Sequence, residues 1–180
     1  MTEVLRARKG DLLWIRWLYL RAFPAQERKP FSRIVTMEQE GKADLWVIRQ
    51  DNRFAGFAAT VNSPGIVLLD YLAVERARRG RGVGTDALKQ LLGHYGDRGV
   101  FVEIESTRVP ARNRLEREKR KQFYVNCGME PMGTEADLFG VRMELLGVRC
   151  SLDFEGYREF YGKYYSTWAA EHVRPIEEEV

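Results

Sequence analysis

The chain has 180 residues, 44% of them hydrophobic and 31% charged. That balance belongs to globular proteins and excludes disordered and fibrous ones. The formal net charge of +3 is too small to argue by itself for a nucleic-acid partner. No apolar stretch approaches the ~20 residues of a membrane span, and Leu12–Leu20 is short and interrupted by Arg16. The start Met-Thr-Glu-Val has no basic stretch leading into an apolar one. Cys127 and Cys150 set no disulfide framework, and no Cys/His cluster has metal-ligand spacing. These features predict a cytoplasmic protein with no metal, no membrane partner and no nucleic-acid partner.

In chain order, Val4–Arg8 reads as a short strand. Asp11 then precedes an amphipathic helical run with Leu12, Ile15 and Leu18 that Pro24 stops. A second helix opens after Pro30 with Phe31, Ile34, Val35 and Met37 on one side. Leu45–Arg49 and Phe54–Val61 read as antiparallel strands joined at Asp51-Asn52. After the turn Ser63-Pro64-Gly65, Ile66–Val74 is a strand, and a glycine-studded loop leads into a helix over Thr85–Tyr95. Gly96-Asp97-Arg98-Gly99 breaks that helix. Val100–Glu105 is a strand, and Asn113–Cys127 is a highly charged helix with Gly128 as its C′ residue. Glu130–Thr134 and Val141–Leu146 suggest a hairpin, and Asp153–Glu171 a C-terminal helix. Helices, a meander, then strand–helix–strand–helix and a hairpin make an α+β protein.

The loop Arg79-Gly80-Arg81-Gly82-Val83-Gly84 is the most informative stretch. It stands where a strand gives way to a helix, whose first N–H groups lack intrahelical partners and whose dipole favours an anion. Arg76, Arg78, Arg79 and Arg81 add positive charge. A Walker A loop would need Lys-Ser/Thr after the last glycine, but Thr85-Asp86 follows Gly84. A dinucleotide fingerprint would use Gly80, Gly82 and Thr85 and so lacks its third glycine, although Glu103 or Glu105 could serve as its ribose acid.

The pattern Arg/Gln-x-x-Gly-x-Gly/Ala is filled without mismatch. Together with Leu72-Ala73-Val74 ahead of it, the loop resembles the acyl-CoA pyrophosphate loop of the GNAT N-acetyltransferase superfamily. The resemblance covers roughly Val4–Leu146, and Ala22–Phe31 also looks like a bacterial subgroup of that superfamily. It implies a mixed, mostly antiparallel sheet with a splayed parallel pair, flanked by helices and here followed by an extra C-terminal helix. On that basis residues 1–148 form the transferase domain, 149–173 a helical extension of it and 174–180 a tail. It also implies that Arg79, Gly80, Arg81, Gly82, Val83, Gly84 and Thr85 hold the diphosphate of acetyl-coenzyme A. Leu72, Ala73 and Val74 would align its pantetheine arm.

For the base, strand alternation puts Glu103 and Glu105 on one face, opposite Val102 and Ile104. Like charges held close raise one another's pKa toward values a base can use. Alternatively, these acids sit at the solvated end of the sheet or pair with arginines of the following helix. Glu27, in a charged loop between two prolines, is the other candidate. Tyr124 is the candidate acid, because Phe123-Tyr124-Val125-Asn126-Cys127-Gly128-Met129 resembles the family's Phe-Tyr-x-x-x-Gly-Phe, whose phenol protonates the departing thiolate. Where that family often has asparagine seven residues earlier, this chain has Arg117.

Cys127 reads as a small buried hydrophobe. The Arg112–Lys121 cluster reads as a salt-bridged surface because Glu116 and Glu118 interleave with it. The aromatics Tyr157, Phe160, Tyr161, Tyr164, Tyr165 and Trp168 read as packing or a homodimer contact. The expectation is an N-acetyltransferase acting by direct attack of a primary amine, small-molecule or peptide and of cationic type, in a ternary complex. A non-catalytic acyl-CoA sensor and a dinucleotide oxidoreductase are the alternatives.

Overall fold

Alternating apolar residues build the strands of the amino-terminal half, and two residues that tolerate left-handed backbone fold them back on one another. Asp51 and Asn52 have φ of +51° and +62°, the paired positive values of a tight hairpin turn. The computed structural model describes residues 1–176 and separates into two compact units, Met1–Gly96 and Asp97–Val180. The first holds β1 (Thr2–Arg6), β2 (Ala43–Gln50), β3 (Arg53–Asn62) and β4 (Ile66–Val74), paired antiparallel in that order. Its helices are α1 (Leu12–Ala22), α2 (Phe31–Gln39) and α3 (Val83–His94).

Alternation in β4 sorts its side chains onto two faces of the sheet. Tyr71 and Ala73 join Ile15, Leu18 and Tyr19 of α1 in one buried cluster with Ile34, Val47 and Phe57. Leu72 and Val74 pack in another cluster with Val83 and Ala87 of α3. The β3–β4 register shifts between Ala59 and Thr60: Ala59 faces Tyr71 and Thr60 faces Leu69, so Asp70 has no counterpart. That bulge re-aims the carboxylate. Helix α1 stops because Phe23 precedes Pro24 and is extended (φ −119°, ψ 136°).

The second unit holds β5 (Gly99–Glu105), β6 (Glu130–Leu138), β7 (Val141–Val148) and β8 (Val173–Arg174), antiparallel in the order β5-β7-β6-β8. Its helices are α4 (Arg114–Asn126), α5 (Phe154–Tyr164) and α6 (Thr167–Glu171). Helix α4 ends as expected at Gly128, φ +91°. The N–H groups of Gly128 and Met129 close on the carbonyls of Val125 and Tyr124 at 2.9 and 3.1 Å.

Strand β1 lies two residues earlier than the sequence reading and β6 runs on to Leu138, and the helices and C-terminus differ as well. Helix α3 starts at Val83, two residues early, because Gly82 takes the left-handed cap position (φ +79°). The C-terminal helix breaks at Tyr165-Ser166, where the Ser166 hydroxyl caps α6 by accepting the Ala169 N–H at 3.0 Å. Val173–Arg174 forms β8 by pairing with Asp137-Leu138; of the expected tail, residues 177–180 lie outside the described residues.

Gly56 is where β3 and β4 admit no side chain: an added Cβ would lie 2.3 Å from the Ala73 carbonyl oxygen. Gly56→Ala is therefore expected to destabilise the protein by about 1–3 kcal/mol, read as a lower urea midpoint at unchanged m-value.

Candidate active site

The strand-to-helix loop has the shape of an anion cradle. After β4 the chain makes a 3-10 turn (Arg76–Arg78) and then uses left-handed glycines at Gly80 (φ +73°) and Gly82 (φ +79°). Both values are cheap only for glycine. The first intrahelical bond of α3 runs from the Asp86 N–H to the Gly82 carbonyl at 2.9 Å. The N–H groups of Val83, Gly84 and Thr85 thus precede the helical ladder, and no side chain caps this end. Three main-chain donors and the positive end of a dipole point to one place.

The arginines divide their work. Arg79 Nε donates to the Val74 carbonyl at 2.9 Å, folding the loop back on the end of β4. Arg78 is held by Gln50 and Glu75. Arg76 and Arg81 are exposed and have no ion pair among the described residues. A diphosphate fits this set: open N–H donors, two glycines without side chains and cationic flanks.

Glu27 lies on a 3-10 turn (Ala25–Glu27) with its side chain exposed. The turn is tied to β4 through Tyr71. The Tyr71 hydroxyl donates to the Glu27 carbonyl at 3.0 Å and accepts from the Lys29 N–H at 3.4 Å. Tyr19 donates to the Lys29 carbonyl at 2.9 Å. The Lys29 ammonium meets both oxygens of Asp70 at 2.7 and 2.8 Å. Burial, with the Asp70 charge beside it, pushes the Tyr71 phenol far up, so it stays a neutral donor. In this unit the fold brings the Glu27 turn to the strand that carries Leu72–Val74. Nothing in the sequence announced Asp70, because a bulge is not legible in strand periodicity.

In the second unit, Glu103 and Glu105 share a face of β5 but meet different partners. Glu103 Oε1 accepts two phenolic hydroxyls from α5, Tyr157 at 2.8 Å and Tyr161 at 2.7 Å. Both tyrosines are buried. Glu105 binds Arg117 at 2.8 Å and Asn113 at 3.1 Å, with Arg120 at 3.9 Å. Arg117 also donates to the Ser106 carbonyl and to Asn113, so it joins the front of α4 to the end of β5. The aromatic set of α5 thus does more than pack. Its i, i+4 tyrosines stand opposite a strand carboxylate.

Tyr124 is only 7% exposed, and burial pushes its phenol up to about 12 against the opposing pull of Arg120. It is therefore protonated at neutral pH, and none of the described hydrogen bonds uses its hydroxyl. Cys127, at the end of the same helix, is buried. The cluster read as a salt-bridged surface pairs Arg114 with Glu118 on α4. It also sends Lys121 to Glu144, the ammonium lying 2.6 Å from Oε2.

Glu144 is 3% exposed, and its other oxygen accepts the N–H and hydroxyl of Thr107, each at 2.8 Å. Burial alone would raise its carboxyl. Lys121 and Thr107 outweigh burial and hold it below the ordinary value of 4.5. A depressed carboxyl contributes stability that is present above its unfolded pKa and lost as pH falls through the folded one. The stability gap between pH 7 and pH 4 is thus expected to narrow in Glu144→Gln. Lys121→Met, which leaves the carboxylate buried and unpaired, should cost about 3–5 kcal/mol at pH 7. Urea unfolding at both pH values checks this; an unchanged gap in Glu144→Gln would refute it.

The pattern of the Acetyltransferase (GNAT) family matches residues 12–118. Solved structures share the fold. A protein of the GNAT acetyltransferase family from Bacteroides thetaiotaomicron is 18% identical over 92% of this chain and 99% of its own, with a TM-score of 0.76. The ribosomal-protein-S18-alanine N-acetyltransferase of Escherichia coli is 16% identical over 84% of this chain and 96% of its own, with a TM-score of 0.65. Spermidine N-acetyltransferase from Vibrio cholerae, solved with CoA and spermine, is 13% identical over 82% and 94%, with a TM-score of 0.63. Among curated proteins no sequence matches.

Proposed function

The chain belongs to the Acetyltransferase (GNAT) family, an acetyl-coenzyme A-dependent N-acetyltransferase, and we propose that it works by direct attack of a primary amine in a ternary complex. Residues 1–148 act as the transferase domain, with 149–173 as its helical extension, in the cytoplasm where acetyl-coenzyme A is at hand. The observation that carries the reading is the set of N–H groups at Val83, Gly84 and Thr85 that precede the helical ladder. They receive the diphosphate, with Gly80 and Gly82 giving room and Arg79 and Arg81 giving charge. Leu72, Ala73 and Val74 align the pantetheine arm along β4. The co-substrate supplies a thioester, whose carbonyl an amine attacks and whose thiolate departs.

Three side chains handle protons and charge. Glu103 takes the amine's proton, directly or through water, while Tyr157 and Tyr161 hold its carboxylate in place. Tyr124 gives its phenolic proton to the departing thiolate, a role supported by its neutral state and its uncommitted hydroxyl. Glu27, presented on the turn that Tyr71 holds, attracts the positive charge of the acceptor. Glu105 is committed to Arg117 and orders the front of α4. An acceptor that is itself cationic, a polyamine or a peptide amine, suits such acids. Relatives of this fold include enzymes named for spermidine and for a ribosomal-protein alanine.

Binding and chemistry separate in two variants. Arg79→Glu with Arg81→Glu is expected to weaken acetyl-coenzyme A binding at least about tenfold by calorimetry, as phosphate contacts worth about 1–3 kcal/mol are lost. Tyr124→Phe should bind it normally and lower kcat by about 10²-fold or more in thiol release with an amine panel. Normal affinity in the first variant would remove the diphosphate assignment.

The tyrosine pair gives a second readout. Hydrogen bonds donated to a carboxylate favour its charged form, so Tyr157→Phe with Tyr161→Phe should raise the pKa of the acidic limb in kcat/KM. Activity then falls at low pH and recovers at high pH. An unmoved limb would reassign the base to Glu27.

A further inference from the structure

Helix α1 is apolar around nearly its whole circumference. Its inward side sends Ile15, Leu18 and Tyr19 into the core. At about 100° per residue, the outward side runs in angular order Arg16, Leu20, Leu13, Trp17, Arg21, Trp14. Leu13 is 78% exposed, Trp14 58%, Leu20 43% and Trp17 40%. A helix apolar on both sides is normally covered on both, and single exposed hydrophobics do not gather like this by chance of surface composition. The ring of Trp14 stacks on Phe54 with centroids 6.1 Å apart, which carries the apolar strip onto the start of β3.

Charge decides what covers it. Leu20, Leu13 and Trp17 form the centre of the strip, Arg16 lies on one border and Arg21 with Trp14 on the other. The Arg21 guanidinium sits 5.1 Å over the Trp17 ring. Exposed Arg8 and Lys9 stand just ahead of the helix. The helix itself carries no acid, and Asp11 before it is buried and paired with Arg49 at 2.9 Å. A second copy packed here about a two-fold axis would set these cations against one another. An anionic surface would not.

We propose that this face of α1 docks on an anionic lipid surface, lying in its plane. Leu13, Trp17 and Leu20 enter the boundary between headgroups and acyl chains, and Arg16 and Arg21 extend to lipid phosphates. At about 16 Å the helix is far too short to cross a bilayer. Among the described residues no helix is long and apolar enough to do so. Interfacial docking needs no span, so the lack of one leaves this attachment open.

Co-sedimentation of the full chain with vesicles of phosphatidylcholine, with and without phosphatidylserine, tests it. The wild type should pellet with the serine-containing vesicles, and raised salt should weaken that binding. Trp17→Gln and Leu13→Gln, both at exposed positions, should each cut it by about tenfold with unchanged melting temperature. Arg16→Gln with Arg21→Gln should remove the preference for anionic vesicles. Failure to bind either vesicle, or equal binding by all variants, overturns the proposal. So does a dimer in sedimentation velocity without lipid that Trp17→Gln dissolves, which would assign the face to a second copy.

Discussion

Three main-chain N–H groups at the front of α3 cannot be satisfied inside their own helix, and the rest of the first unit is arranged around that fact. A buried helix end in this condition would cost about 1–3 kcal/mol for each unpaired donor. Where they stay open to solvent, the same groups are donors that an anion can take. The geometry is held from both sides. Gly80 and Gly82 supply turns that other residues take only with strain, and the Arg79 Nε bond to Val74 fastens the loop to the strand behind it. The arginines are thus part brace and part electrostatic field.

The strand feeding this loop does several jobs because side chains alternate along it. Tyr71 and Ala73 serve the α1 core, while Leu72 and Val74 pack toward α3. One displaced residue, Asp70 at the bulge, leaves that scheme and captures Lys29. Tyr71 and the Lys29–Asp70 pair together turn a loop bounded by two prolines into a defined surface. Replacing the phenol by an apolar ring would keep the packing and lose the tether, since it is the hydroxyl that holds the Glu27 carbonyl.

Much of this was legible in the residues. The Asp51-Asn52 hairpin, the stop at Pro24, the glycine loop and the Gly128 helix end all follow from local backbone preferences, which a short window of sequence contains. What was not legible depends on long-range register. The bulge at Asp70, the buried Lys121–Glu144–Thr107 cluster and the two tyrosines on Glu103 each join residues distant in sequence. The alternation that put Glu103 and Glu105 on one face was readable, but their partners were not. The early start of α3 at Val83 was missed for a related reason: glycine reads as loop until its φ reveals it as a cap.

Those two carboxylates, two positions apart on one strand, show how environment separates roles that sequence makes equivalent. Glu105 faces a guanidinium at 2.8 Å, so its charge is cancelled where it stands and its geometry is spent on α4. Glu103 is instead held by two neutral phenols. They satisfy one oxygen and, unlike a guanidinium, bring no charge of their own. The two carboxylates thus differ in the donors they meet, neutral phenols on α5 for one and a guanidinium on α4 for the other.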